Sequence, residues 1–394
     1  MSGEPLIYLI AAEPSGALLG GRLMAALQER TGGAVHLAGI GREAMAPEAL
    51  ESLVPLAELA VMGVAEVLPR ARRIFRRVRE TAADITARRP DAVVTIDSSG
   101  FTWRVAQRLR RAGARVPLIH YVAPMVWAWR AGRARRMARW YDHLMVLLPF
   151  EPPYFTAVGL SCNYVGHPVV ESGADRGDGP GFRRRHGIAP EAPLLIVLPG
   201  SRAGEVGRLL PIFGEAVRLL AARHPGLRVV LPTTETTAAA VEAAVKGWPL
   251  PVTVLRGPAE KNDAFAAGTV ALAASGTVAL ELAMARLAAV IAYRVNPLTH
   301  ELLRRVLKVK YAHLLNLILD RAVVPELLQR DCTPERLADA VGRLIAEPAL
   351  RAEQAAACAD ALKQLGYGGL SPGLRAADEV LMIIGAHTSG KEKE

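Results

Sequence analysis

Gly200, Ser201 and Arg202 follow an aliphatic run, "LLIVLP", and lead into a helical pattern in which Glu205, Leu209 and Leu210 recur. A glycine lets a ligand approach the backbone, a helix start offers unpaired N–H groups with a favourable dipole, and an arginine adds a two-pronged cation. Together they suit a diphosphate. A plain strand-to-helix turn with a solvent-facing arginine has the same spelling, so these residues alone leave both readings open. A second such turn lies downstream, where Ser275, Gly276 and Thr277 end a run of small residues and Glu281 follows one helical turn later. Ser275 and Thr277 supply hydroxyls, and the Glu281 carboxylate could accept two hydrogen bonds from ribose hydroxyls. It would serve equally as a first-turn charge suited to the helix dipole. Two such turns close together favour a nucleotide diphosphate site.

The N-terminal third carries its own candidates. Glu13, Ser15 and Gly16, in "AAEPSGALLGG", sit between a first strand and a first helix. Neither this turn nor the later "GIGREAM" has the G-x-G-x-x-G spacing of a dinucleotide fingerprint, so a nicotinamide or flavin is weakly supported and no cofactor is expected. Trp127, Trp129 and Arg130, in "HYVAPMVWAWR", could stack on a sugar or base or anchor at a lipid interface, and a buried aromatic plug is the plainer alternative. His120 and His167 have no second ligand at metal spacing and read as core or hinge histidines; no metal site is expected. Cys162, Cys332 and Cys358 are scattered and odd in number, which argues against a disulfide framework and suits a reducing compartment.

The elements that must position these residues alternate between strand and helix. Apolar runs such as "LIYLIAA", "DAVVTID", "VPLIHYVAP" and "HLMVLLP" are separated by Ala/Arg/Leu-rich helical stretches, and the pattern restarts after a Gly/Pro-rich linker at 172–193 with "LLIVLPG", "RVVLPTT", "VTVLRG", "VALAASGT" and "AAVIAYRV". With 394 residues, two domains with mostly parallel sheets are expected. Such halves facing one cleft fit a nucleotide-sugar transferase, but also dehydrogenases and binding proteins. No apolar stretch reaches membrane-spanning length, and the N-terminus reads as a first strand, not a signal peptide.

Charge is concentrated. Residues 70–139 hold eighteen arginines and four acidic residues, a local +14 in a chain whose net charge is +10. Within this region "VMGVAEVLPRARRIFRRVRETAADI" puts Val64, Leu68, Ala71, Phe75, Val78, Ala82 and Ile85 on one helical face, with arginines 70, 72, 73, 76, 77 and 79 around it. An interfacial membrane helix needs that pattern, and an ordinary surface helix with a solvated basic side also shows it. Nucleic acid would use the same charges, but the chain lacks any recognisable reading module, and no nucleic-acid partner is expected.

Taken in order, "AAEPSGALLGG", "MGVAEVL", "HYVAPMVWAWR", "LLPFEPPYF", "YVGHP", "LPGSRAGE", "ASGTVALE", "AYRVNP" and "NLILDRAVVPELLQ" resemble the lipid-A-disaccharide synthase family over roughly residues 6 to 345. The resemblance implies an α/β fold of two Rossmann-like domains facing a cleft, of the GT-B glycosyltransferase type, with C-terminal helices. The expected parts are 1–172 for the acceptor and membrane, 173–345 for the UDP-sugar, C-terminal helices over 346–387, and a disordered tail over 388–394. It implies an inverting, metal-free transfer from UDP-2,3-diacylglucosamine to 2,3-diacylglucosamine 1-phosphate, giving a β-1,6-linked disaccharide and UDP. The setting it implies is the anionic cytoplasmic face of the inner membrane, and a homo-oligomer is compatible with it. Arg202 and Ser201 would then face the UDP diphosphate, Thr277 and Glu281 would help hold the nucleoside, and Asn316, Glu326 and Gln329 match positions around the donor site.

One departure matters. The family usually has an acid where this chain has Gly100, often Asn where Thr102 stands, and an Asp where Ala17 stands. Asp97 then becomes the favoured general base and Glu13 the reserve, while Asp97 could also cap the next helix. Two rivals follow: a non-catalytic binder of UDP-sugars or glycolipids, and another UDP-sugar transferase or epimerase of the same architecture.

Overall fold

The sheets are parallel and their central strands are apolar on both faces, as strands covered by helices on both sides must be. The computed structural model describes residues 3–41, 45, 51–52, 64–296, 301 and 309–391. The chain divides into two compact units, Met1–Pro168 with Gly368–Glu394, and Val169–Tyr367.

Among the described residues, the first unit holds β1 (Leu6–Ala11), β2 (His36–Ile40), β3 (Glu51–Ser52), β4 (Ala92–Ile96), β5 (Leu118–Tyr121), β6 (His143–Val146) and β7 (Ser161–Tyr164), in the order β3-β2-β1-β4-β5-β6-β7. The second holds β8 (Leu194–Leu198), β9 (Arg228–Thr233), β10 (Val252–Arg256), β11 (Val270–Ala274), β12 (Ala289–Tyr293) and β13 (Glu326–Leu328), in the order β10-β9-β8-β11-β12-β13. Each sheet is wound outward in one direction and then in the other, so each has a switch point: between β1 and β4, and between β8 and β11. Ligands of doubly wound sheets bind outside the carboxyl ends of the strands at that point.

Helix Ala203–Arg223 shows how the pattern folds locally. Val206, Leu209, Leu210, Phe213, Val217 and Leu220 recur every three or four residues and are all buried against β8, β9 and β11. In the first unit, helix Pro14–Thr31 packs against helix Pro372–Lys391 through Leu23, Leu27, Ala376 and Val380, with Arg30 paired to Asp378 at 2.8 Å.

Four expectations change. The polar stretch 172–193 is no loose linker: it contains helix Gly179–Arg185, docked on helix Lys261–Ala267. Its glycines are the reason. A Cβ at Gly177 would overlap the Asn262 carbonyl, and one at Gly179 would come within 2.6 Å of the Ala266 oxygen. The C-terminal helices do not form one block: helix Pro348–Gln364 stays with the second unit, where the Gln354 side chain bonds both the N–H and the C=O of Ala289, whereas Pro372–Lys391 belongs to the first. The tail expected to be disordered from 388 continues as helix to Lys391, with Thr388 and Ser389 hydroxyls bonded one turn back; residues 392–394 lie outside the described residues. On helix Val64–Arg88 the inward face is Ile74, Val78, Ala82 and Ile85, and Phe75 is 59% exposed. Met62 and Gly63 of "MGVAEVL", and the side chains of Val64, Leu68 and Ala71, lie outside the described residues.

The Trp127 turn is fastened from "PFE". Trp127 Nε1 donates to Glu151 Oε1 (3.1 Å), the Leu148 N–H donates to Oε2 (3.0 Å), and the indole meets Phe150 edge-on. Burial raises the Glu151 pKa to about 7, against the lowering effect of these donors.

Two outcomes test these packing statements. Gly39 has φ +141° and pairs with Leu9, whose carbonyl oxygen a Cβ would overlap. Gly39→Ala should therefore lower unfolding free energy by at least about 3 kcal/mol or abolish folding, and a near-normal urea midpoint would contradict the register. For Glu151, the folded carboxyl holds its proton above the ordinary range, so its stabilisation is present in full below about pH 4.5 and is lost as pH rises through about 7. Glu151→Gln should remove that component, up to about 3 kcal/mol, from urea midpoints compared at acid and neutral pH.

Candidate active site

The switch point of the second unit opens into a cavity of about 750 Å³. It is lined by the turn after β8 (Gly200, Ser201, Arg202), by Thr233 and Thr234 at the end of β9, by Lys261 after β10, and by Ser275, Gly276, Thr277 and Glu281 after β11. The two turns singled out by spelling thus meet at one opening.

The first turn is built around Gly200. Its φ is +110°, and a Cβ would sit 2.6 Å from Glu205 Oε2, so the Glu205 carboxylate occupies the space a side chain would need. Glu205 is in turn only 13% exposed and takes Arg202 Nη1 at 3.2 Å. Arg202 is 71% exposed at the N-cap of the helix, and its carbonyl accepts the N–H groups of Glu205 and Val206. A long, exposed cation tethered at one end by a carboxylate can turn towards an incoming anion at small cost. The second turn enters helix Val278–Met284 through Thr277, whose hydroxyl makes no capping bond. Gly276 has open space where a Cβ would stand, so its role is not steric.

Sequence reading missed Lys261. Its Nζ lies 2.7 Å from Glu281 Oε2 on the cavity wall, yet it comes from a different crossover, and "GPAEKNDAFAAG" carries no motif. Only the order β10-β9-β8-β11 brings the carboxyl end of β10 to the same rim. Thr233 and Thr234 were missed for the same reason.

Asn316, Glu326 and Gln329 are not in the cavity lining and gather beside β13. Asn316 is engaged within its own segment. The residue is fully buried, its Oδ1 accepts the N–H groups of Val323 and Val324, and its Nδ2 donates to the Val324 carbonyl and Glu326 Oε1. An amide so engaged braces the loop in this structure. Glu326 also accepts the N–H groups of Ala312 and His313, and Gln329, at φ +51°, accepts from Val295 N–H.

In the first unit, Ser15, Gly16 and Asp97 meet at the β1/β4 switch point. Ser15 Oγ is 3.3 Å from Asp97 Oδ2, and a Cβ on Gly16 would stand 3.2 Å from the Ile96 carbonyl oxygen. Asp97 and Ser98 both have φ +50°, an uncommon pair for residues with side chains. The turn is held by Asp97 Oδ1 accepting from Ser98 N–H (2.7 Å), by Asp97 N–H donating to Tyr121, and by Thr102 Oγ1 at 2.9 and 3.0 Å from the carbonyls of Asp97 and Ser98. Thr102 thus braces the turn. Glu13 is exposed at the start of the same helix, and Ala17 is buried in the core. Gly100 is exposed, with only Arg104 within 4 Å of where its Cβ would be. Trp129 lies beneath Arg130, whose guanidinium carbon is 4.3 Å from the ring centroid.

His120 is buried and bonded to Thr95, and burial lowers its pKa to about 3; His167, buried too, falls to about 4. Both are neutral core histidines. The three cysteines are buried and unpaired, and the described residues contain no cluster able to hold a metal ion.

Comparison with known proteins bears on the fold and the family. A solved structure of a putative UDP-N-acetylglucosamine 2-epimerase from Listeria monocytogenes matches with a TM-score of 0.64 at 12% identity, covering 99% of this chain and 98% of that one, which establishes a shared fold of two Rossmann-like domains. The lipid-A-disaccharide synthase of Rhodospirillum centenum is 59% identical over 96% of this chain and 94% of its own, and that of Paramagnetospirillum magneticum is 57% identical over 98% and 99%. The family model for lipid-A-disaccharide synthetase matches residues 7–368. The chain therefore belongs to the lipid-A-disaccharide synthase family.

Proposed function

We propose that this chain joins UDP-2,3-diacylglucosamine to 2,3-diacylglucosamine 1-phosphate, forming the lipid A disaccharide 1-phosphate and releasing UDP. Family membership sets the reaction class, a glycosyl transfer in lipid A synthesis. The observation that carries the reading is the cavity at the β8/β11 switch point, with Arg202 at the start of a long helix on one side and Glu281 on the other. Its volume of about 750 Å³ is in the range that takes a nucleotide-sized ligand.

The diphosphate lies against the N–H groups of the helix start, with Gly200 allowing close approach, Ser201 hydrogen-bonding and Arg202 leaving Glu205 to pair with it. As the bond from the anomeric carbon to phosphate oxygen breaks, the electron pair stays with UDP, and the guanidinium and helix dipole stabilise the growing charge. Glu281 takes ribose hydroxyls, and Ser275, Gly276 and Thr277 supply the rest of the rim. Asp97, aimed by Ser15 and Ser98, accepts the proton of the acceptor 6-hydroxyl as that oxygen attacks the face opposite UDP, which inverts the configuration. Trp129 with Arg130 offers a ring and a cation to the acceptor sugar and its phosphate. The helix Val64–Arg88, with Phe75 outward and Arg73, Arg76 and Arg79 exposed, suits the anionic inner-membrane surface where acylated sugars reside. No helix among the described residues is long and apolar enough to cross a membrane.

With both acylated substrates, purified protein should release UDP and form a disaccharide phosphate. Arg202→Ala should lower turnover by about tenfold or more, and normal turnover in that variant would remove the diphosphate assignment. Asp97→Asn should lower kcat by about 100-fold or more while changing the donor KM little; a wild-type pH–rate profile and rate in this variant would move the base elsewhere.

A further inference from the structure

Two cations reach the cavity, and they are held differently. Arg202 is mostly exposed and tied to a neighbour three residues away on its own helix. Lys261 comes from another crossover, is 29% exposed, and meets Glu281, 23% exposed, at 2.7 Å. Its helix has little freedom. Gly177 and Gly179 bring the backbone of the preceding segment against the carbonyls of Asn262 and Ala266, Arg185 pairs with Glu260 and Asp263, and Asp263 also accepts the Asp178 N–H. Lys261 Nζ also lies 5.9 Å from the Phe265 ring centroid.

Lys261 engages one oxygen of Glu281, and the described residues offer no partner to the other, Oε1. A carboxylate on a cavity wall with one oxygen held by an ammonium and the other open is directed at a hydroxyl donor. Left unpaired, the same carboxylate would repel an arriving diphosphate and would be free to turn away from the cavity.

We infer that Lys261 is a positioning residue for the nucleotide: it holds Glu281 so that the carboxylate accepts hydrogen bonds from the vicinal hydroxyls of a ribose, and it cancels a negative charge beside the diphosphate. This rests on the reading that the cavity takes UDP. Lys261 acts through Glu281 and does not touch the reacting atoms, so its loss falls on binding and not on the chemical step.

Isothermal titration of the full chain with UDP and with 2′-deoxy-UDP tests it. The wild type should prefer UDP by about tenfold or more, as a site built to bond a hydroxyl rejects the analogue lacking it. Lys261→Met should weaken UDP about tenfold, bring the ratio of the two affinities close to one, and raise the donor KM with kcat nearly unchanged. Lys261→Arg should retain the preference. A preference unchanged in Lys261→Met overturns the inference, and so does a wild type that binds UDP and its 2′-deoxy form equally. Should Lys261→Met not fold, Lys261→Gln carries the same comparison, judged on protein whose thermal midpoint matches the wild type. A wild type with no affinity for UDP overturns the nucleotide reading itself, an outcome distinct from loss of the Lys261 role.

Discussion

Strand β8 lies between β9 and β11, and the winding of the sheet reverses there. Right-handed crossovers on either side of such a reversal place the following helices on opposite faces, so the loops at the carboxyl ends part and leave a crevice. Every candidate donor residue depends on that parting. Gly200 to Arg202 stand on one lip and Ser275 to Glu281 on the other, and helix Ala203–Arg223 starts at the first of these lips. Had the sheet been wound in one direction only, both turns would still exist, but no crevice would open between them.

The same constraint operates at β1 and β4 in the first unit, with a different outcome. There the lips are brought close by Gly16, and the chain leaves β4 through two residues in left-handed conformations, Asp97 and Ser98. Hydrogen bonds from Ser15, Ser98 and Thr102 over-determine that turn. Strain of this kind persists where surrounding structure holds it, and functional sites are where it recurs. Residue 100 is a glycine, and the chain carries a carboxylate at 97 whose two oxygens are held by neighbours. The space at Gly100 is open apart from Arg104, which also donates to the Gly100 carbonyl. An acid there would find a cation ready to pair with it, so packing does not explain the glycine.

Charge divides unevenly along the chain. The arginines of 70–139 belong to the first unit, most of them on helices Val64–Arg88 and Ser99–Arg111 and on the segment around Gly132–Met137. Several lie over aromatic rings: Arg104 over Phe75, Arg133 over Trp103, Arg130 over Trp129. Such stacking covers apolar rings with charged groups while leaving both near the surface, a combination suited to phosphate and acyl chain together. The cavity at the β8/β11 switch point has a more even balance, with Arg202 and Lys261 each paired to a glutamate. An anion arriving there would displace or supplement existing pairs and would not enter a strongly positive field.

Periodicity and turn chemistry were enough to place most strands, the long helices and the two Gly-bearing turns, because buried parallel strands read as aliphatic runs and helices as three-to-four spacings whatever surrounds them. Motif order was enough to indicate the family. Other features were decided by contacts between segments distant in sequence. Helix Gly179–Arg185 was hidden by glycines that serve close backbone contact with residues some 85 positions on, a reason invisible in local composition. Phe75 shares the period of its helix's apolar face, but where that helix meets helix Ser99–Arg111 it is Ile74 that packs against the core. Asn316 carries the right chemistry for a ligand and is consumed by its own loop. Lys261 carries no signal at all, and it reaches the cavity only because strand order, a long-range property of backbone pairing, sets β10 on the same rim as β8 and β11.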